Sequence, residues 1–279
     1  MISIVTPTYN REVLIQNTIN SILNQTFKDW ELIVVDDGST DNTEQVMQEY
    51  LKDPRIRYIK KKNTGQANSL NVGVSNCKGE FIVFLDSDDE AYPKWLETAH
   101  SEIKEDTGIV CVGAIRKLLD GTMLNEDLSE YMLFGEKVKV KFTCGSLFMR
   151  RTVFNAINGY DDSLKAGIQT DLGYRLIAYL RTTNYKIVTN DAYLVQINIH
   201  GGPRIRTNYE KVGEGGIQFL NKHEKVISKT EIADICATIA FSSYKVNKRG
   251  RSLKYLLKAI KNNPTRLHNY ARIVKYTLM

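Results

Sequence analysis

The sequence predicts an α/β protein, a Rossmann-like and mostly parallel sheet with helices on both faces, followed by a C-terminal helical extension. Three observations predict it. Over residues 1–110, short apolar runs alternate with amphipathic segments in a βαβαβαβ rhythm, which short right-handed connections build into an open parallel sheet. The run "GEFIVFLD" is apolar on both faces, as a strand covered on both sides must be. From about Tyr209 onward the chain reads as helices only.

Taken in order, "ISIVTP" reads as a strand that begins at once, and Asn10 is placed to cap a helix. That helix repeats apolar positions at Leu14, Ile15, Thr18, Ile19, Ile22 and Leu23, the helical spacing. "ELIVVDD" is a second strand, and "STDNTEQVMQEYL" opens with Ser, Thr and Asp cap chemistry and continues as a helix. "RIRYIKK" is a third strand, "GQANSLNVGVSNC" a helix, and "GEFIVFLD" the fourth strand. Pro93 sits at the start of the helix "KWLETAHSEIKE", and "TGIVCVGAI" is a fifth strand. Further on, "EKVKVKFTCGSLFMRR" alternates like one half-buried strand, "TDLGYRLIAYLR" is helical, and "YKIVTNDAYLVQIN" is a strand. These elements predict one α/β domain over 1–208, regular over 1–115 and less so over 116–208. A basic helical region at 209–279 follows.

The 279 residues are ample for a core, with 42% apolar and 25% charged side chains, the balance of an ordinary globular protein. No apolar run approaches the roughly 20 residues of a membrane span, and the N-terminus lacks a basic and then apolar leader pattern. The four cysteines show no paired spacing, which argues against a disulfide framework or a zinc site and fits a reducing cytoplasm. The net charge of +6 is uneven. Residues 245–279 hold ten Lys or Arg and no acid, while the rest holds 28 basic and 32 acidic residues. The tail helices "GRSLKYLLKAIKN" and "TRLHNYARIVKYTL" each carry an apolar stripe, the first through Leu253, Leu256, Leu257 and Ile260. The stripes are narrow, which favours packing on the domain or on a second subunit over a membrane-surface role at the inner face of the membrane. Aromatics do not interleave with the tail's charges, so nucleic acid is not an expected partner.

Ligands of open α/β sheets bind beyond the carboxyl ends of the strands. Three such ends are polar here: "TPTYN", "DDGST" and "DSDDE". In an extended "DSDDE", Asp86 and Asp88 share a face and offer paired hard oxygens for Mg²⁺ or Mn²⁺. The alternative is a solvated turn or a helix N-terminus. In "VVDDGST", Asp36 is expected to be structural and Asp37 to face a ligand, where a carboxylate accepts from a ribose hydroxyl or a base N–H. The alternative is an Asp-Gly turn with Ser39 or Thr40 as cap.

The stretch "SIVTPTYNREVLIQNTINSILNQTFKDWELIVVDDGSTDNT", then "NTGQANSLNVGV" and "GEFIVFLDSDDEAYPKWLE", resembles glycosyltransferase family 2, with its glycosyltransferase A fold, over about residues 2–100. The order and combination of these pieces are specific; each alone is not. The resemblance implies an inverting transferase, of hexosyltransferase type, that uses a nucleotide sugar, here a UDP-sugar, with Mn²⁺ or Mg²⁺. It makes 1–208 the catalytic domain, with 1–115 as the nucleotide-binding half and 116–208 as the acceptor-binding half. By it Pro7, Tyr9 and Asp37 line the nucleoside pocket, Asn63 lies near the base or ribose, and Asp86-Ser87-Asp88 is the DXD motif. Asp86 then contacts ribose or sugar, and Asp88 ligates the metal. "GYDDSLKAGIQTDLGYRL" matches the region that supplies the catalytic base, with Asp171 at the base position, Thr170 where Glu is common, and Asp161 or Asp162 as fallback.

His200 stands before "GGPRIR", a region where similar family members place a metal-binding His. Arg204 and Arg206 read either as contacts to the diphosphate from a closing loop or as solvent-facing charge. The expected acceptor is a hydroxyl of a saccharide or lipid-linked molecule in surface polysaccharide or glycoconjugate synthesis. Two other readings exist. A nucleotidyltransferase needs a Gly-rich phosphate loop after the first strand, and "TPTYNREV" lacks the glycines. A non-catalytic sugar-nucleotide-binding protein draws only on Thr170.

Overall fold

The structure, a computed structural model, describes residues 1–201 and 207–278. The chain opens with β1 (Ile2–Thr8), α1 (Leu14–Leu23), β2 (Trp30–Asp36), α2 (Thr43–Tyr50), β3 (Ile56–Lys60), α3 (Gln66–Ser75) and β4 (Phe81–Phe84). Next come β5 (Glu90–Ala91), α4 (Trp95–Ser101), β6 (Thr107–Lys117), β7 (Met123–Glu126), β8 (Ser129–Leu133) and β9 (Glu136–Val140). β10 (Leu147–Arg150), α5 (Arg151–Ala156), α6 (Ile168–Leu180) and β11 (Lys186–Asn198) complete the mixed region. The C-terminal helices are α7 (Tyr209–His223), α8 (Lys229–Lys245), α9 (Arg249–Asn262) and α10 (Leu267–Leu278).

The chain divides into two compact units. One comprises Met1–Glu130, Lys139–Asp162 and Arg175–Gly201; the other comprises Tyr131–Val138, Ser163–Tyr174 and Gly202–Met279. The cut passes through α6 after Tyr174, so the helical unit takes in more of the chain than the 209–279 expected.

The first unit is built on a nine-stranded sheet in the order β3-β2-β1-β4-β10-β6-β11-β5, with β7 on β6. β1 is parallel to β2 and β4, and β2 to β3. β10 is antiparallel to both of its neighbours, and β5 and β7 are antiparallel additions. Every residue of β1, β2 and β4 is buried, which explains their unbroken apolar reading. β1 lies between β2 and β4 in parallel register, Thr8 beside Asp36 and Val5 beside Phe84, so their carboxyl ends share one edge. β11 runs parallel to β6 with three register shifts: one between Lys186 and Ile187, where β6 carries the extra residue, and two bulges of β11, between Asn190 and Tyr193 and between Tyr193 and Val195.

The core joins Ile4, Leu32, Val34, Val83, Val110, Val112 and Phe148 of the sheet to Ile15, Ile19 and Ile22 of α1 and Trp95 of α4. Trp95 packs on Phe148 at 5.1 Å between ring centroids and donates its indole N–H to the carbonyl of Gly145 at 2.7 Å.

Three local expectations differ. "EKVKVKFTCGSLFMRR" is two strands, β9 and β10, parted at 141–146, because Gly145 turns the chain in the left-handed region at φ 80°. There a Cβ would meet Val195 Cγ1 at 2.7 Å, so only glycine fits. Asn10 does not cap α1, which starts at Leu14. It adopts φ 52° and bridges two loops instead: its N–H donates to Ser39 Oγ at 2.9 Å, and its Oδ1 accepts from Thr40 N at 2.8 Å. The helix after Pro93 begins at Trp95, with Lys94 at the N-cap position and no side-chain cap bond.

In the second unit, α8 starts with a reciprocal capping box between Ser228 and Glu231. α9 buries Ser252, Leu256 and Ala259, and Leu256 packs with Ala240 of α8. Leu257, expected on that stripe, is exposed. The basic tail is partly answered within its own unit: Lys258 by Glu224 at 2.8 Å, Lys248 by Glu210 at 2.6 Å, and Arg266 by Asp234. Among the described residues, no helix is long and apolar enough to cross a membrane.

Phe148 is fully buried on the central antiparallel strand against Trp95. Phe148→Ala is expected to lower unfolding free energy by about 3–5 kcal/mol, measured by urea unfolding. A loss below about 1 kcal/mol would contradict this packing.

Candidate active site

The carboxyl ends of β1, β2 and β4 carry the polar residues, and hydrogen bonds fix their relation. Asp37 N donates to Thr8 O at 2.9 Å, and Leu85 N donates to Val5 O at 3.1 Å. Pro7 is buried in β1 and Tyr9 beyond it is exposed.

The two aspartates of "VVDDGST" have separate tasks. Asp36 is fully buried; Ser39 N donates to its Oδ1 at 2.7 Å, and the Tyr58 hydroxyl donates to its Oδ2. Burial, and then this bond to a carboxylate, hold the Tyr58 phenol well above its usual range and keep it a donor. Asp37 turns the other way. Its Oδ1 accepts from Lys61 Nζ and from Thr64 N at 2.9 Å, and its Oδ2 accepts from Gly65 N at 2.8 Å. These amides lie at the start of α3, where a negative charge is favoured. Gly65 caps that helix at φ 100°, a backbone that glycine adopts without strain. Asn63, on the same loop, is exposed.

Gln66, the next residue, connects this cradle to the acidic turn: its Nε2 donates to Asp86 Oδ1 at 2.9 Å. The Cys144 thiol is also hydrogen-bonded to Asp86. Asp86 is partly buried and its carboxyl is pushed up to about 6, first by burial and then by the like charge of Asp88. Ser87 is buried.

Asp88 meets His200, with Oδ2 2.6 Å from Nε2. Asp89 is spent on structure. Its buried Oδ1 accepts from Asn198 N at 2.9 Å, and its carbonyl accepts from the Thr18 hydroxyl at 2.8 Å. Asn198 Nδ2 in turn donates to Asp88 O at 2.9 Å and to Glu90 Oε1 at 3.1 Å. The end of β11 is thereby stitched to the acidic turn, two residues before His200. Carboxylate oxygens of Asp86, Asp88 and Asp89 lie within 4.8 Å of one another. Two partly buried acids, one of them holding its proton too tightly, with an imidazole on the other, make a donor set that fits a divalent cation.

Asp171, in the first turn of α6, belongs to the second unit and is fully buried. Its Oδ1 lies 2.6 Å from Lys222 Nζ and 2.8 Å from His223 Nε2, both in the last turn of α7. Thr170 is exposed. Asp162, in the first unit, is exposed and accepts from Asn68 Nδ2 at 3.2 Å. Arg204 and Arg206 lie outside the described residues. The sequence reading missed Lys61, Gln66, Cys144 and Asn198. Only Gln66 had a signal, its place at the start of the helix after Asn63; the others reach the site through pairings distant in sequence.

The sheet order, with acidic strand ends along one edge, defines the glycosyltransferase A class of α/β folds. Solved structures share it. TarS 1-349 of S. aureus in complex with UDP-GlcNAc superposes with a TM-score of 0.66 at 19% identity, over 94% of this chain and 81% of that one. The mannosyltransferase PcManGT from Pyrobaculum calidifontis, in complex with GDP-Man and Mn²⁺, gives 0.59 at 14% identity, over 99% of this chain and 81% of that one. The model described as Glycosyl transferase family 2 matches residues 3–157, and the chain belongs to that family. Curated relatives include the chondroitin synthase of Escherichia coli, 32% identical over 63% of this chain and 26% of its own length. The GalNAc(5)-diNAcBac-PP-undecaprenol beta-1,3-glucosyltransferase of Campylobacter jejuni is 43% identical over 37% of this chain and 35% of its own length. An uncharacterized glycosyltransferase of Rickettsia typhi is 28% identical over 86% of this chain and 79% of its own. The chain thus spans about a quarter of the synthase and about a third of the glucosyltransferase.

Between the ordinary carboxylate range and about pH 6, folded Asp86 keeps a proton that the unfolded chain has lost. The group therefore favours folding below that window, and the contribution is lost as pH rises through it. Asp88→Asn removes the neighbouring charge and is expected to lower the Asp86 midpoint, read by carboxyl ¹³C NMR titration. A midpoint that stays at about 6 would leave burial as its sole cause.

Proposed function

We propose that the protein is an inverting glycosyltransferase that moves a sugar from a UDP-sugar to a hydroxyl of a saccharide or lipid-linked acceptor. The observation that carries the reading is the acidic turn at the end of β4, where Asp86 and Asp88 meet His200 beside the Asp37 cradle. Family membership supports the reaction class. The lipid-linked glucosyltransferase and the UDP-GlcNAc-bound neighbour support the donor and acceptor classes by analogy.

In this reading Asp37 accepts an N–H of the base, Pro7 and Tyr9 flank the nucleoside, and Asn63 lies near base or ribose. Asp86 takes a hydroxyl of the ribose or sugar, with Ser87 beside it. Asp88 and His200 would hold a divalent cation, Mn²⁺ or Mg²⁺; imidazole is a less usual partner for Mg²⁺ than oxygen is. Bound there, the ion would offset the charge gathering on the leaving diphosphate. Arg204 and Arg206 are assigned to the same diphosphate. Asp171 takes the proton of the attacking hydroxyl on the side away from the leaving group, which inverts the anomeric centre. A second reading of the base has its own support: Asp162 is exposed, whereas Asp171 is fully buried against Lys222 and His223. The site of action is assigned to the cytoplasm at the inner face of the membrane. The exposed Leu257, Leu267 and Tyr270 of the C-terminal helices offer a surface for lipid or a second subunit.

UDP release from common UDP-sugars with Mn²⁺, with and without saccharide acceptors, tests the reaction. Failure to bind UDP or release it from any of them would end the proposal. Asp88→Ala is expected to lower turnover on the order of 100-fold; unchanged metal dependence in that variant would remove Asp88 from the cation site. Asp171→Asn is expected to lose turnover while still binding UDP. If it keeps full activity and Asp162→Asn loses it, the base is Asp162.

A further inference from the structure

An ionised carboxylate has about four acceptor positions, two on each oxygen. Three positions of Asp37 are occupied from within the chain. Lys61 Nζ and Thr64 N fill Oδ1, and Gly65 N takes one position on Oδ2. One acceptor position is left. Lys61 has also used its own donors: besides Asp37 it bonds Thr64 Oγ1 and the Lys62 carbonyl. Its ammonium is mostly buried, and so is the carboxylate it pairs with, so neither is readily completed by water.

The bases ask different things of such a site. Uracil presents one N–H between two carbonyls. Guanine presents two adjacent N–H groups, which a carboxylate satisfies only with an open position on each oxygen. Adenine and cytosine set an unprotonated ring nitrogen beside an amino N–H, so an acceptor is brought against the carboxylate next to the donor. A base with one N–H finds its partner here, and guanine is left with an unpaired buried donor, which is costly.

We propose that Lys61 is a specificity-determining residue for the nucleotide: by filling Oδ1 of Asp37, it leaves a single acceptor that takes the one N–H of uracil and rejects the paired N–H groups of guanine. The proposal rests on the reading of Asp37 as the group that meets the base. Lys61 touches no reacting atom and acts through Asp37. Its removal should change the choice between nucleotides rather than abolish binding of all of them. The loss of one positive charge weakens UDP and GDP alike, so their ratio isolates the effect.

The test is calorimetric titration of the full chain with UDP and with GDP, each with Mn²⁺, for the native protein, Lys61→Met, Lys61→Arg and Asp37→Asn. The native protein is expected to prefer UDP by on the order of tenfold or more, the effect of one unpaired buried N–H. Lys61→Met opens Oδ1, and the preference should collapse toward equal binding. Lys61→Arg restores a donor there and should restore the preference. Asp37→Asn should weaken UDP. A native protein that binds GDP as well as UDP overturns the proposal. So does a Lys61→Met variant that binds both with the native ratio, even where Asp37→Asn confirms that Asp37 meets the base. Unchanged UDP affinity in Asp37→Asn overturns the underlying reading instead, and the role of Lys61 with it.

Discussion

Three consecutive residues at the head of α3 hold the candidate site together. Thr64 and Gly65 give their amides to Asp37, and Gln66 gives its side chain to Asp86. The two carboxylates stand just beyond the ends of different strands, β2 and β4, with β1 between them. Parallel register alone brings them to one edge. The helix start fixes their orientation, and it stabilises Asp37 with the positive end of its dipole. The same helix reaches further along the chain: Asn71 bonds the backbone of Tyr160 in both directions, at 2.8 and 2.9 Å, and Asn68 bonds Asp162. The middle of the chain is thus anchored to the element that positions the nucleotide side of the site.

The first half was legible in the sequence because local and global signals agree there. Each strand is a short apolar run, each helix has its own period, and each turn carries residues that prefer turns. Asp36 and Asp37 were separable from one sequence fragment, since the residue inside the last strand position is buried and the next one leaves the sheet. The second half was less legible for physical reasons. The strand β10 comes from a segment whose alternation continues unbroken from β9, and the turn between them depends on one left-handed glycine. The stripe on α9 differs from its sequence pattern at one residue: Leu257 lies just off the buried line through Ser252, Leu256 and Ala259. Lys61, Cys144 and Asn198 are ordinary in sequence; only tertiary pairing gives them a place beside the carboxylates.

The helical unit carries chemistry of its own in the contact between α6 and the last turn of α7. Buried Asp171 meets Lys222 and His223, and Tyr174 and Phe219 pack around the imidazole, with ring centroids 5.4 and 4.6 Å away. A buried carboxylate needs such partners whatever its task. That burial is what brings Asp162 forward as the other candidate base, and the paired substitutions at Asp171 and Asp162 carry the decision.

The two bulges of β11 have a consequence for how this site could arise or be lost. From Asn190 to Val195 the strand takes five steps while its neighbour takes two, from Val112 to Ala114. The surplus is three, an odd number, and side chains alternate with a period of two. Against β6, the phase of β11 is therefore inverted between Ile187–Asn190 and Val195–Asn198, although the extra β6 residue beside Lys186–Ile187 brings the far ends of the pairing back into phase. The first stretch follows one phase, and the stretch that ends at Asn198 follows the other. A version of this strand with one bulged residue fewer would keep its length of pairing and its hydrophobic content, yet present the opposite set of side chains to the acidic turn. The histidine two residues on would inherit that error. Deletions of single residues around Asp191–Ala192 should therefore act as parity errors, damaging the cation site at a distance while deletions of two are tolerated better.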